Sequence, residues 1–254
     1  MRVFQQKVNL HHRAGQKFFA VALYSPQSLI YNEIMWRTLL GIRTNRQVDF
    51  TAKKVWVIGS SSGLGAAIAW TLAHKGAQIA LSARSESNLR YTLENLAGDG
   101  HFIAPVDVTD LPSFKRAHTA IAEKWHHIDY VIYCAGLYEA PDWENFDSTQ
   151  QCEMIEVNLS GALRLIEVML PQWKTQRGGD LALISSITAL GGAPASLAYG
   201  ASKAGLSHLA ESLSIDLATY DVRVQLASPG FMDTPMLKKI PRSKPFTLSL
   251  IHIS

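Results

Sequence analysis

The sequence predicts an α/β domain built on a doubly wound parallel sheet, with helices on both faces in a three-layer arrangement. Three observations carry this. From Val55 onward, short apolar runs alternate with longer stretches of helical periodicity, the pattern of repeated strand–helix–strand units. The run Lys54–Ile58 passes directly into Gly59-Ser60-Ser61-Ser62-Gly63-Leu64-Gly65, a glycine-rich turn that opens a helix. Further on, Tyr199 and Lys203 lie four residues apart in a helical stretch, which puts them on one helix face.

Strands are expected over 54–58, 78–82, 101–105, 128–133, 180–185 and 222–227, and helices over 64–75, 86–97, 111–125, 149–174 and 197–219. The turn after the first strand lets the backbone approach a pyrophosphate, while the helix N-terminus supplies N–H donors and a favourable dipole. Gly59, Ser61, Ser62, Gly63, Leu64 and Gly65 are the residues placed there, and the hydroxyls of Ser60 to Ser62 are expected to add donors. The second strand ends Leu81-Ser82-Ala83-Arg84. An acid at that point would accept from the ribose 2′-hydroxyl of NAD; Ala83 stands in its place and Arg84 follows. A guanidinium suits a 2′-phosphate, so NADP(H) is favoured over NAD(H). The plainer alternative is that Arg84 is simply exposed at a strand end.

Asp110, directly before Leu111-Pro112, reads as the N-cap of the helix over 111–125. Asn158 falls in the middle of the helix over 149–174, where Asn is a poor helix former, so its presence points to a functional reason, with a buried structural Asn as the alternative. An ammonium beside a phenol lowers the phenol's pKa from about 10, as acid–base work on an alcohol or carbonyl near neutral pH requires. Lys203 is expected to do this for Tyr199, with Ser186, at the end of an apolar run, placed to bond the substrate oxygen.

Taken together, these motifs resemble the short-chain dehydrogenase/reductase family in its compact single-domain branch, and the resemblance runs from Lys54 to about Pro235. It rests on Gly-x-x-x-Gly-x-Gly at Gly59, Gly63 and Gly65, on Asp107 in Asp-Val-Thr-Asp, and on Ala135-Gly136. Asn158 in Val-Asn-Leu-Ser-Gly, the thirteen-residue gap from Ser186 to Tyr199, Lys203, and Pro229-Gly230 with Thr234 complete it. The resemblance implies a Rossmann fold and an NADP(H)-dependent oxidoreductase interconverting a secondary alcohol and a ketone or aldehyde. In that role Tyr199 would exchange the proton, Ser186 orient and polarise the oxygen, and Lys203 bind the nicotinamide ribose. Asn158 would hold a relay water beside Lys203. Asp107 and Val108 would lie near the adenine, Ala135 and Gly136 would leave room beside the cofactor, and Pro229, Gly230 and Thr234 would meet the nicotinamide amide and phosphates.

Two positions depart from the family pattern. Cys134 replaces a common amide, and Ile58 replaces the Thr before the first glycine, which puts structural hydrogen bonds in question rather than the chemistry. The resemblance also implies a homodimer or homotetramer built on the helices over 149–174 and 197–219. Two other readings stay open: reduction of a 3-oxoacyl thioester on a carrier protein, and a non-catalytic module that senses NADP(H). The first needs a basic rim, and residues 190–240 offer only Lys203, Arg223, Lys238 and Lys239. The second has no use for Ser186, Tyr199 and Lys203 together. Leu137, Ala140, Leu190, Ala193 and Leu197 point to an apolar substrate.

A length of 254 residues and 18% charged residues fit one globular α/β domain, expected over 51–247. Residues 1–54 carry nine Lys and Arg against two acids, the rest fifteen against nineteen, so the catalytic part is mildly acidic and nothing in it indicates nucleic-acid binding. No run reaches the roughly 18 apolar residues of a membrane span, and no metal set is visible; His11-His12 reads as solvated. Cys134 and Cys152 read as buried free thiols of a reducing, cytoplasmic setting. Residues 1–50 precede the resemblance and read as a flanking arm, partly helical over 27–40, with a transit segment or upstream sequence before Met35 as alternatives. The family pattern continues beyond Ser254 with a lid and a last strand, and Leu248–Ser254 matches translated transposase-adapter sequence. A C-terminally truncated domain with an uncovered sheet edge and a non-native tail over 248–254 is therefore expected.

Overall fold

The computed structural model describes residues 20–21, 48–230, 232 and 234–236. The expectations for the rest of the N-terminal arm, for His11-His12 and for the tail over 248–254 lie outside those residues. A two-residue strand, β1 (Ala20–Val21), comes first, then β2 (Lys54–Ile58), α1 (Gly63–His74), β3 (Gln78–Ser82), α2 (Glu86–Glu94) and β4 (Phe102–Ile103). These lead to α3 (Leu111–Lys124), β5 (Tyr130–Tyr133), α4 (Ser148–Ile155), a π-helical turn (Glu156–Ser160), α5 (Gly161–Gln176) and β6 (Gly179–Ile184). A 3₁₀ turn (Ile187–Ala189), α6 (Leu197–Asp216), a second 3₁₀ turn (Leu217–Tyr220) and β7 (Val222–Pro229) complete the described chain.

All strand pairs are parallel, in the order β1-β7-β6-β5-β2-β3-β4. The chain runs outward from β2 to β4, then returns to β5 on the other side of β2, so the switch point falls between β2 and β5. Crevices outside the carboxyl ends of strands at such a point are where ligands bind in open α/β sheets. Alternate residues of each strand enter separate cores. Trp56, Val131, Tyr133, Leu181 and Leu183 pack with Phe114 of α3, Leu165 and Trp173 of α5 and Leu206 of α6. Val55, Val57, Ile132 and Ile184 face Ile68 and Leu72 of α1 and Leu89 of α2. Both faces being covered, the strands read as continuous apolar runs rather than alternating ones. Trp56, fully buried, satisfies its indole N–H on Ser82 Oγ at 2.8 Å.

Three differences from the expected elements have physical causes. The long helix over 149–174 is interrupted by the π turn at Glu156–Ser160, around Asn158. The strand over 101–105 shortens to two residues, Ala104 and Val106 instead donating to the Leu81 and Ala83 carbonyls as the chain leaves the sheet. The edge of β7, expected open, carries β1 in register Ala20↔Ser228 and Val21↔Pro229, an outer strand taking up unpaired N–H and C=O groups. The expected N-cap is present: Asp110 accepts from the Ser113 N–H at 3.0 Å. Cys152 is exposed on α4, not buried, because it falls on the outward face of that helix; Cys134 is partly buried at the end of β5.

Candidate active site

A cavity of ≈ 320 Å³ opens at the carboxyl ends of the strands around the switch point, a size within the range of small-molecule sites. Its lining includes Gly59, Ser61, Ser62, Gly63, Leu64 and Gly65 at one end, with Arg84 beside them. Val108, Ala135, Gly136, Tyr199, Lys203, Pro229 and Thr234 line the remainder. Of the catalytic and cofactor residues singled out in the sequence, Asp107, Asn158, Ser186 and Gly230 are not part of this lining, and neither are Leu137, Ala140, Leu190, Ala193 and Leu197.

The glycine end is shaped by backbone. Gly59 has φ +87°, and a Cβ there would meet the Ala135 nitrogen at 2.5 Å; a Cβ on Gly65 would run into the Gly59 carbonyl oxygen. The turn therefore lies pressed between β5 and the first turn of α1. Ser60 pins it: this buried hydroxyl donates to the Ser82 carbonyl at 3.3 Å and accepts from the Ser82 N–H at 3.0 Å. Ser60 is thus committed to structure rather than offered to a ligand, and only Ser61 and Ser62 of the three serines line the cavity. The N-terminus of α1 has no side-chain cap, and its first turn holds no acid. By contrast, Ser85, Asp110 and Asp147 cap α2, α3 and α4. An uncapped, glycine-lined helix start facing a cavity fits an anionic diphosphate.

Arg84 is exposed at the end of β3, and its charge, with that of Arg164, acts on Asp107. Burial pushes the Asp107 carboxyl up, but hydrogen bonds from the Thr109 N–H and hydroxyl (2.9 and 2.7 Å) and the two guanidinium groups outweigh it and leave the pKa below its ordinary value.

At the other end the groups are side chains on two neighbouring elements. Ser186 follows β6, and Tyr199 and Lys203 share a face of α6, with Lys203 Nζ 5.7 Å from the Tyr199 ring centre. Ser186 Oγ accepts from the Thr188 N–H at 3.2 Å and the Thr188 hydroxyl at 3.0 Å, while its own hydroxyl bonds Tyr199. Lys203, 4% exposed, donates to the Ile184 carbonyl at 2.8 Å, and burial pushes its pKa down to about 8. The Tyr199 pKa is raised, contrary to the expected effect of Lys203. Burial dominates and the neighbouring Ser186 hydroxyl is what pulls it back down; the Lys203 amine is turned to the Ile184 carbonyl.

Asn158 is fully buried, and its side chain clamps Leu137: Oδ1 accepts from the Leu137 N–H at 2.7 Å while Nδ2 donates to the Leu137 carbonyl at 3.0 Å. Nδ2 also donates to Ser202 Oγ at 3.0 Å. A Cβ on Gly136 would lie 3.6 Å from both Asn158 Oδ1 and Lys203 Nζ, so the three converge.

Several contributors were not singled out by the sequence. Tyr138 stands edge-on to Tyr199, with ring centres 5.3 Å apart, and donates to the Ala195 carbonyl at 3.1 Å. Ser185 Oγ donates to the Lys203 carbonyl and meets Ser207 Oγ, both at 2.9 Å, tying β6 to α6. Tyr133 donates to the Val157 carbonyl at 2.6 Å. Only Ser185, adjacent to Ser186, carried a positional hint; the others depend on pairings distant in sequence.

Fold, switch-point cavity, glycine turn and paired Tyr and Lys define a nucleotide-dependent oxidoreductase architecture. The family model described as short chain dehydrogenase matches residues 53–245, and the chain belongs to that family. It is 33% identical over 192 residues to an uncharacterized oxidoreductase of Staphylococcus saprophyticus, covering 74% of this chain and 82% of that one. It is 28% identical over 187 residues to a 3-oxoacyl-[acyl-carrier-protein] reductase of Thermotoga maritima, covering 73% and 76%. Among solved structures, actinorhodin polyketide ketoreductase with NADPH is similar at TM-score 0.70 and 27% identity, covering 73% of each chain. Levodione reductase is similar at TM-score 0.70 and 27% identity, covering 74% of this chain and 75% of that one. The chain is thus a short-chain oxidoreductase. No helix among the described residues is long and apolar enough to cross a membrane, and no cluster of three or more metal-ligating side chains is present among them.

Proposed function

We propose that the protein is an NADP(H)-dependent reductase that converts an apolar ketone or aldehyde to the alcohol, and runs the reverse reaction with its acid–base group deprotonated. The observation that carries this is the placing of Tyr199, hydrogen-bonded by Ser186 just outside the lining, and Lys203 at one end of a cavity whose other end is an uncapped helix N-terminus. A bound NADP(H) would supply the hydride. The α1 N–H groups would hold its diphosphate, Arg84 its 2′-phosphate, and Lys203 its nicotinamide ribose, with Ala135, Gly136, Pro229 and Thr234 along its length. Asp107, outside the lining but beside Arg84, would sit near the adenine.

Ser186 would turn the proton it shares with Tyr199 toward the substrate oxygen, its own oxygen being held by the Thr188 N–H and hydroxyl. Tyr199, with its pKa raised by burial, is a neutral phenol at pH 7 and therefore holds the proton that a carbonyl oxygen needs on reduction. Lys203, brought down to about 8, exchanges a proton near neutral pH and can restore it to Tyr199. Because the Asn158 amide is taken up by Leu137 and Ser202, we assign Asn158 to holding Gly136-Leu137 against Lys203, with any relay water served by the backbone of its turn.

Leu190 and Leu197, exposed on the segment between Ser186 and Tyr199, support an apolar substrate, and the similarity to a ketoreductase and to levodione reductase supports carbonyl reduction. Exposed Leu163 on α5 and Ile215 on α6 support a homodimer or homotetramer. Reduction of a carrier-bound 3-oxoacyl thioester is supported less. Within the described part of 190–236, Lys203 is buried and Arg223 is paired with Asp180 at the opposite ends of the strands, so neither forms a basic rim. NADPH oxidation measured over a panel of apolar ketones and aldehydes tests the proposal. Turnover that disappears in Tyr199→Phe supports it; NADPH binding with no turnover of any carbonyl supports the sensing module instead.

A further inference from the structure

The π turn that carries Asn158 has a feature which its own sequence does not explain. In an uninterrupted α-helix the Gly161 N–H would bond the Val157 carbonyl, four residues back. Here it bonds the Glu156 carbonyl, five back. The donor that the Val157 carbonyl loses is replaced by the hydroxyl of Tyr133, at 2.6 Å and buried. Space for that hydroxyl exists because residue 161 is glycine: a Cβ there would collide with Tyr133 Oη. Tyr133 is fully buried, and burial pushes its hydroxyl far above the ordinary phenol range, so it remains a donor at every working pH.

We propose that Tyr133 is a positioning residue for catalysis: its hydroxyl holds the π turn of Glu156–Ser160 in register, and thereby sets Asn158 against Gly136-Leu137 and Lys203. The proposal rests on the catalytic reading of Lys203 and Tyr199 given above. Without the hydroxyl, Val157 has an unpaired buried carbonyl, and the turn can recover by shifting the Gly161 N–H back to Val157. That shift tightens the π turn toward α-helical register, turning the backbone by up to about 100° per residue of register, and so rotates Asn158 away from Leu137. Tyr133 is itself the last residue of β5, so the same strand that delivers Ala135 and Gly136 to the cavity also fixes the helix turn facing them. π turns of this kind recur at functional sites because they re-aim one side chain without ending the helix.

The test is Tyr133→Phe, isosteric apart from the hydroxyl, in the full chain. The expected result is a fall in kcat of about 10- to 100-fold with KM and NADPH affinity within about twofold, the signature of misplacing a group that does not bind substrate. Hydrogen–deuterium exchange should rise in the stretch 156–162 and stay unchanged in the glycine turn. Tyr133→4-aminophenylalanine, which restores a donor in the same place, should recover most of the lost kcat. A Tyr133→Phe enzyme with unchanged kcat, or with unchanged exchange over 156–162, overturns the proposal and leaves the proposed function standing. Loss of kcat that the amine does not rescue overturns it as well. Turnover that survives Tyr199→Phe would instead sink the proposed function, and the exchange result would then decide the hydrogen-bonded pin by itself.

Discussion

At the glycine end of the cavity the groups facing a ligand are backbone N–H groups at the start of α1 and the exposed Arg84, whereas at the opposite end they are the partly or wholly buried side chains Tyr199 and Lys203, with Ser186 bonded to Tyr199 from outside the lining. One end is set by chain geometry over seven consecutive residues, Gly59 to Gly65. The other is assembled from β5, β6, α6 and the π turn. The difference teaches where each kind of function resides. Binding a charged ligand at the surface end asks only for oriented dipoles, which a local turn provides. The pKa shifts of Tyr199 and Lys203, at the proton-handling end, come chiefly from burial among segments distant in the chain. Substitutions at the two ends should accordingly fail in different ways.

The largest separation is expected for Tyr199→Phe. Removing the group proposed to exchange the proton should lower kcat by about 10³-fold or more, the upper part of the range for acid–base groups. NADPH affinity should stay within about twofold, since the phenol makes no bond that the glycine end depends on. Stopped-flow turnover together with fluorescence titration of NADPH checks both halves. A variant that loses cofactor binding in parallel with turnover would show that the two ends are not separable.

The complementary break is Gly65→Ala. The added methyl would run into the Gly59 carbonyl oxygen, and its neighbours there are the Gly59 carbonyl carbon and Ser60 Cα, so the clash is with backbone that cannot swing aside. We expect a loss on the order of 3 kcal/mol in unfolding free energy, comparable to other overpacked backbone contacts, and loss of NADPH binding in whatever fraction stays folded. Chemical denaturation and the same titration read the result. Full stability with normal affinity would mean that the turn has slack and that its glycines are not what shapes the phosphate end.

These two outcomes also mark what the sequence can and cannot disclose. The strands, the glycine turn and the Asp110 cap are legible because each depends on neighbours in the chain: an apolar run, a positive-φ glycine at Gly59, an acid three residues ahead of the Ser113 N–H. The relation of Tyr199 to Lys203 is legible as spacing, but the direction of their pKa shifts is not. That direction follows from burial, which raises Tyr199 against the opposing Ser186 hydroxyl and lowers Lys203, and burial depends on elements distant in the chain. The π turn is hidden for the same reason, since a helix broken at Asn158 is held by a hydroxyl from Tyr133, twenty-four residues away. Ser60 is the opposite case: a hydroxyl in the right motif that tertiary structure claims for Ser82.

Lys203 offers a measurement of what the buried end costs. Its pKa falls from 10.5 to about 8 through burial, so the folded state disfavours the charged form. Below pH 8 the group is protonated in both states, and the full penalty of burying the ammonium is present. Between pH 8 and about 10.5 the unfolded chain still holds the proton while the folded one does not, so stability contributed by this group rises with pH. Lys203→Met should lose turnover yet melt higher than the parent at pH 7, with an advantage on the order of 3 kcal/mol at most, and the gap should narrow as pH approaches 10. Parallel thermal melts at pH 7 and pH 10 decide it. A variant less stable than the parent at pH 7 would show that the bond to Ile184 outweighs the burial of charge.

The smallest effect is expected at Arg84, and it is also the one that tests the surface end on its own terms. The side chain is exposed, so a contact with a 2′-phosphate would be made in water and screened by salt. Arg84→Ala should therefore weaken NADPH by only about tenfold, the value of a single exposed charge-assisted contact of roughly 1.4 kcal/mol. NADH affinity should not change, because that cofactor has no phosphate for the guanidinium to meet. The loss should shrink as salt is raised, which a buried contact at the Lys203 end would not show. Equal affinities for NADPH and NADH in the parent enzyme would remove the premise and leave Arg84 as the neighbour of Asp107 that lowers its pKa.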